Sequence, residues 1–189
     1  LQKLGYLMGR QRKAEILIDD WGQRDFRKLI AYCQSAEAFQ DVPFSMDYTY
    51  QAMDHAFPGS KFILTVRDNP QQWYDSVIRY MIKRHTISGG HSLPSQQDMQ
   101  EDPYVFKGYI WRVEEMVWGK DIAPTIKFDS TILMDHYERH NARVKDYFRH
   151  RPDDLLVLNL SEHNAMEKLC AFLGKPYDGQ DMPKLNTSK

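Results

Sequence analysis

Two residues that could bind a phosphate group follow an apolar segment of the sequence. Arg67 directly follows the segment 61–66, and Ser76 lies in the second turn of the helix predicted to come next. A guanidinium and a hydroxyl beside a helix N-terminus favour an anion, because the hydrogen-bond donors and the helix dipole act together. The alternative is that Arg67 pairs with Asp68 and that Ser76 lies on the helix surface. On the spacing alone, this alternative is favoured.

A carboxylate that could act as a general base lies earlier in the chain. Asp41 follows the short segment 36–40 and precedes Val42-Pro43. A general base needs a fixed and partly desolvated position beside the reacting group, and the end of a strand can provide one. The alternative is that Asp41 caps a turn, as Asp commonly does before Pro. By itself, Asp41 is a weak signal of catalysis.

A pair of histidines has the spacing of a metal-binding helix. His136 and His140 are four residues apart on a predicted helix. However, no Glu follows His136 as in the zinc hydrolase motif, and the sequence offers no obvious third ligand. We therefore predict no metal site.

The elements that position these residues alternate between strands and helices. Apolar runs at 61–66 and 155–160, together with the weaker segment 36–40, predict strands, and the first two suit strands covered on both faces. Pro70 predicts the first position of a helix capped by Asp68 or Asn69. The order of elements predicts an α/β fold of three layers, with a mainly parallel sheet flanked by helices. The predicted helices are 25–33, one capped by Ser45 and ending at Pro58-Gly59, 70–84, 104–118, 129–149 and 164–173, and the polar stretch 86–103 is predicted as a surface loop.

Composition restricts the class of protein. The chain has 189 residues, of which 42% are hydrophobic and 27% charged, so we expect a single globular domain. A net charge of -1 gives no general reason to bind nucleic acid or an anionic membrane. No apolar stretch approaches the roughly 20 residues of a membrane helix, so we expect a cytoplasmic protein. Cys33 and Cys170 lie in amphipathic patterns that predict buried free thiols.

Four stretches together resemble one enzyme family. The sequence is similar to the sulfotransferase superfamily, whose members use 3′-phosphoadenosine-5′-phosphosulfate (PAPS), and in particular to the branch with P-loop-type sulfotransferase domains. The similarity extends from about Leu4 to Asn186. The stretches are Asp41-Val42-Pro43, the segment 61–68 with Trp73-Tyr74-Asp75-Ser76, the segments 155–160 and 169–176, and Met182-Pro183-Lys184-Leu185-Asn186.

The resemblance implies roles for the residues singled out above. Asp41 would be the catalytic base, and Arg67 and Ser76 would bind the 3′-phosphate of PAPS without any metal. Asn69 stands before Pro70 where the family often has Arg-Asp-Pro, and this shifts Ser76 by one residue. The acceptor would be a hydroxyl group of a small molecule or carbohydrate, bound by the loop 86–103 and the helix 104–118.

The family's first strand and its phosphate-binding loop have no counterpart in these residues. Leu1–Tyr6 resembles the end of the helix that follows that loop, closed by Gly5. We therefore expect residues 1–189 to form a single sulfotransferase-like domain that lacks its N-terminal P-loop segment, and we expect the natural protein to be longer.

Two other hypotheses for the function are alternatives to a sulfotransferase. The first is a non-catalytic nucleotide-binding or interaction domain derived from the same fold, in which Arg67 would still bind phosphate but Asp41 would be dispensable. The second is a nucleotide kinase, which is disfavoured because the sequence has no Gly-x-x-x-x-Gly-Lys-Ser/Thr loop.

Overall fold

A computed structural model describes residues 1–87 and 89–183 of the chain. The chain divides into two compact units. Unit 1 comprises Leu1–Pro58 and Met81–Lys127, and unit 2 comprises Gly59–Tyr80 and Phe128–Lys189. The last three residues of the predicted family segment 182–186 lie outside the described residues.

Unit 1 is built from helices. Its core contains the buried side chains of Ile18, Trp21, Met46 and Tyr109. Its elements are the 3-10 helix Gln2–Leu4 and the helices α1 (Gln11–Glu15), α2 (Ile18–Gly22), α3 (Arg27–Cys33), α4 (Thr49–Ala56), α6 (Gln96–Glu101), α7 (Tyr109–Trp118) and α8 (Ala123–Ile126).

Unit 2 holds a parallel sheet between helices. Its strands are β1 (Phe62–Val66) and β2 (Leu155–Asn159), which pair from Phe62 with Leu155 to Val66 with Asn159. Helix α9 (Ser130–Tyr147) packs on β1, and helix α10 (Ala165–Leu173) packs on β2. The α/β class and the parallel pairing are therefore confirmed. Helix α5 (Pro70–Ile87) belongs to unit 2 as far as Tyr80 and to unit 1 from Met81 onwards.

Burial of the strands differs from the prediction. We expected both faces of β1 and β2 to be covered, but Thr65 and Val157 are exposed and Leu158 is the one fully buried residue of the two strands. The described sheet has two strands, so each of them is an edge strand.

The segment 36–40 is not a strand. Ala38 forms an isolated parallel bridge with Met8, and the amide of Gly9 donates a hydrogen bond to the carbonyl oxygen of Ala38 at 2.8 Å. The segment 36–40 predicts a strand because it is apolar and runs into Asp41-Val42-Pro43. In the structure Phe39 instead packs against Tyr32 and Phe44, with ring centroids 5.4 and 5.0 Å apart.

Other boundaries also need correction. Helix α4 begins at Thr49 and not after Ser45, because the chain first forms turns at 41–48. The predicted loop 86–103 contains helix α6, which Ser95 caps. The Ser95 side chain accepts a hydrogen bond from the Asp98 amide, and the Asp98 carboxylate accepts one from the Ser95 amide. This capping box was present in the sequence as a Ser followed three residues later by an acid. Helix α7 begins at Tyr109 and not at Tyr104.

The helix ends predicted at Gly5 and Gly174 and the buried free thiol predicted at Cys170 are confirmed, whereas Cys33, also predicted to be buried, is half-buried. Gly5 and Gly174 end their helices in the left-handed conformation. Both cysteines are free, with Cys170 buried and Cys33 half-buried, and burial raises the pKa of the Cys33 thiol to about 11. None of the described helices is both long enough and apolar enough to cross a membrane.

The start of α5 gives a test of this fold. The Asn69 side chain accepts a hydrogen bond from the Gln72 amide at 2.8 Å, whereas Asn164, at the same position before α10, makes no such bond. We expect Asn69→Ala to lower the free energy of unfolding by about 1 kcal/mol. Asn164→Ala is the matched control and should change it by much less. Urea unfolding followed by circular dichroism measures both, and equal losses would contradict this assignment of the cap.

Candidate functional site

Arg67 lies at the carboxyl end of β1, where the backbone is fixed by a tyrosine. The Arg67 amide donates a hydrogen bond to the hydroxyl of Tyr137 at 2.9 Å. Tyr137 is buried and stacks on Trp73 of α5, with ring centroids 4.8 Å apart and planes 15° apart. This stack joins α9 to α5 and holds the end of the strand between them.

The Arg67 side chain is exposed and has no hydrogen bond or ion pair among the described residues. The expected alternative partner, Asp68, is engaged elsewhere. Its carboxylate accepts hydrogen bonds from Gln72 at 2.9 Å and from the side chain of Asn159 at the end of β2. The interpretation of Arg67 and Asp68 as an ion pair is therefore wrong, and the guanidinium is available to an anion.

Ser76 lies in the second turn of α5 and is half-buried. Ser76 and Arg67 both belong to unit 2, and no hydrogen bond joins their side chains among the described residues. In the sequence, the N-terminus of α5 lies between Arg67 and Ser76, and there the Gln72 amide already donates a hydrogen bond to the Asn69 side chain. Phosphate binding by Arg67 and Ser76 stays a prediction.

Asp41 lies in unit 1 and forms a turn with left-handed backbone geometry. Its φ is 62°, its side chain accepts a hydrogen bond from the Val42 amide at 2.9 Å, and its carbonyl oxygen accepts one from the Ser45 amide at 2.8 Å. The turn-capping role is thus confirmed. The carboxylate is also exposed, which leaves acceptor capacity for a proton. The role of Asp41 as a base stays a prediction.

The turn that carries Asp41 rests on a buried threonine that the sequence did not identify. The Thr49 hydroxyl donates to the carbonyl oxygen of Pro43 at 2.8 Å and accepts from the indole N–H of Trp21 at 3.0 Å. Thr49 is fully buried. Gln11 adds a hydrogen bond from its side-chain amide to the carbonyl oxygen of Val42 at 2.9 Å. The contacts of Thr49 with Trp21 and of Gln11 with Val42 join residues distant in sequence, so no local pattern indicates them.

The two histidines of the predicted helix both lie on α9. In the described part of the chain, no three or more His, Cys, Asp or Glu side chains are grouped so that they could hold a metal ion.

Comparison with known proteins adds one match. The family model described as "Sulfotransferase domain" matches residues 4–189. A search of curated proteins found no match.

Thr49 gives a test of the turn. Thr49→Val removes two hydrogen bonds, but the Trp21 indole keeps its bond to the Asp47 carbonyl at 3.3 Å and the Pro43 carbonyl keeps the one from the Met46 amide at 3.1 Å. We therefore expect the free energy of unfolding to fall by about 0.5–1.5 kcal/mol for each hydrogen bond lost. Thr65→Val, on the exposed position of β1, is the control and should change it little. Thermal unfolding of both variants measures these changes in stability. A Thr49→Val protein as stable as the parent would show that the turn does not depend on this hydroxyl.

Proposed function

The chain belongs to the sulfotransferase domain family, and from this membership we propose that it transfers a sulfuryl group from PAPS to a hydroxyl group. The acceptor would be a small molecule or a carbohydrate. The family assignment supports sulfotransfer in general. The donor, the acceptor and the residue roles below are our proposal.

The observation that carries the proposal is the state of Arg67. An exposed arginine next to an aspartate can pair with it, but here the Asp68 carboxylate accepts hydrogen bonds from Asn159 and Gln72. Arg67 thus keeps its donors and its charge for a ligand, at the carboxyl end of a parallel strand where α/β sheets bind ligands. Its planar guanidinium matches the geometry of a phosphate group, which it can bind through two hydrogen bonds.

The 3′-phosphate separates PAPS from ATP, so it is the group that Arg67 would recognise. The positive end of the α5 dipole lies next to Arg67 in sequence, and it favours the same anion. Ser76, in the second turn of α5, would supply a hydroxyl donor to the phosphate.

The chemistry proposed for Asp41 is proton transfer. The acceptor oxygen forms a bond to sulfur while the bond between sulfur and the leaving phosphate oxygen breaks. The acceptor's proton passes to the Asp41 carboxylate, and 3′,5′-adenosine bisphosphate leaves. Catalysis of this kind depends on positioning and on stabilising the charge that develops on the leaving oxygen. The hydrogen bonds around Val42 and Pro43 support the proposal because they fix the base.

Donor binding is tested without knowing the acceptor. At about 100 times its dissociation constant, 3′,5′-adenosine bisphosphate should add about 2.7 kcal/mol to the free energy of unfolding. We expect Arg67→Ala to abolish this gain without lowering the stability of the free protein, because the Arg67 side chain has no hydrogen bond or ion pair to lose among the described residues and the backbone bond to Tyr137 persists. Arg79→Ala, an exposed arginine of α5, is the matched control and should retain the gain.

AMP and Mg-ATP serve as ligand controls in the same thermal unfolding assay. A gain with Mg-ATP alone would favour a kinase, and no gain with any nucleotide would contradict the donor site.

The role of Asp41 is tested separately by Asp41→Asn. Asparagine tolerates the left-handed backbone of this position, so the turn should persist. We expect binding of 3′,5′-adenosine bisphosphate to be unchanged and turnover of PAPS to fall by about 10²–10⁴-fold, the usual contribution of a general base. Sulfate or sulfated product is quantified with radiolabelled PAPS. Full turnover by Asp41→Asn would point to the non-catalytic role of this residue.

A further inference from the structure

Tyr137 contacts both parts of the proposed donor site, which consists of Arg67 and Ser76. Its hydroxyl accepts a hydrogen bond from the Arg67 amide at 2.9 Å, and its ring stacks on Trp73 with centroids 4.8 Å apart. Trp73 lies on α5, three residues before Ser76, and residues three apart on a helix are neighbours on its surface. One side chain therefore joins the backbone of Arg67 to the helix turn that carries Ser76.

The Arg67 amide lies beyond the paired part of the sheet. The pairing of β1 with β2 ends at Val66 and Asn159, and no strand-to-strand hydrogen bond of the described chain fixes Arg67. Its amide instead donates to the Tyr137 hydroxyl. The exposed Arg67 side chain forms no hydrogen bond or ion pair in the same part of the chain. Tyr137 thus supplies the one hydrogen bond that restrains Arg67 among the described residues.

Tyr137 can hold Arg67 because its own position is fixed. It lies near the middle of α9, a helix of 18 residues that packs on β1. Only 9% of its surface is exposed, and its ring and that of Trp73 are within 15° of parallel. A side chain whose rotamer is locked by such packing is the usual support of a binding group. Arg67, Trp73 and Tyr137 all belong to unit 2.

We propose that Tyr137 is a positioning residue of the donor site, whose hydroxyl holds the Arg67 backbone in the place from which the guanidinium binds the 3′-phosphate. This inference rests on the proposed function. A guanidinium binds a phosphate through two parallel hydrogen bonds, so its plane and its direction of approach must both be right. A backbone free to move beyond the end of the sheet would meet this condition less often. In this role Tyr137 acts through Arg67 and not on the donor itself.

Tyr137→Phe tests this role because it removes the hydroxyl and keeps the ring that stacks on Trp73. The Arg67 amide then loses its acceptor, and we expect the dissociation constant of 3′,5′-adenosine bisphosphate to rise about three- to tenfold. Isothermal titration calorimetry measures this constant. The KM for PAPS in sulfate release without added acceptor should rise by a similar factor while kcat stays unchanged, because the 3′-phosphate takes no part in the bond changes at sulfur.

Tyr74→Phe is the matched control. The Tyr74 hydroxyl donates to the carbonyl oxygen of Phe128 at 2.9 Å, so this variant also removes one hydrogen bond between a phenol and the backbone of unit 2. We expect the two variants to lower the melting temperature by similar amounts, since each loses one hydrogen bond of the same length. Tyr74→Phe should nevertheless bind 3′,5′-adenosine bisphosphate as tightly as the parent protein.

The possible outcomes separate this role from the proposed function. Equal dissociation constants in the parent protein and in Tyr137→Phe would overturn the positioning role alone. An equal rise in Tyr137→Phe and Tyr74→Phe would also overturn it, because a general loss of rigidity in unit 2 would then explain both. Failure of the parent protein to bind 3′,5′-adenosine bisphosphate would instead overturn the proposed function, and the role of Tyr137 in donor binding would fall with it.

Discussion

The hydrogen bond between Asn159 and Asp68 connects the carboxyl ends of the two paired strands, and the chemistry proposed for unit 2 depends on it. Parallel pairing in the register of Val66 with Asn159 brings the residues after β1 next to the end of β2. Asp68 then satisfies its charge with neutral amides, from Asn159 and Gln72. If the register slipped by one residue, Asn159 would face the other side of the sheet and Asp68 would be left to pair with Arg67.

In unit 1, the main constraint acts on the turn that carries the exposed carboxylate of Asp41. Two hydrogen bonds fix the turn that carries Asp41. The Thr49 hydroxyl donates to the carbonyl oxygen of Pro43 and accepts from the indole N–H of Trp21. Trp21 also belongs to the core with Tyr109, so the turn is attached to the core of unit 1. Rigid support of a polar group by buried neighbours is the usual way in which a site keeps its geometry.

Sequence patterns identified the elements whose signals are local. The apolar runs of β1 and β2, the cap at Asn69 and the glycine at the end of α10 are encoded within a few neighbouring residues, and each appears in the structure. The prediction of a strand at 36–40 was wrong because an apolar run this short fits a strand or an aromatic cluster equally well. Thr49, Tyr137 and Asn159 were missed because each has a partner that is distant in the chain, namely Trp21, Arg67 and Asp68. Position within a sequence cannot reveal such contacts.

The left-handed backbone at Asp41 limits which residues evolution can place there. With φ at 62°, β-branched and bulky side chains are strained, whereas Gly, Asn, Asp and His are tolerated. Of these four, only Asp and His have a side chain that can act as a general base. The backbone conformation of the turn therefore limits substitutions at position 41 independently of any effect on catalysis. Descendants of this chain that retain the turn can exchange one base for another or lose the base to Asn or Gly, whereas a β-branched residue there would strain the backbone.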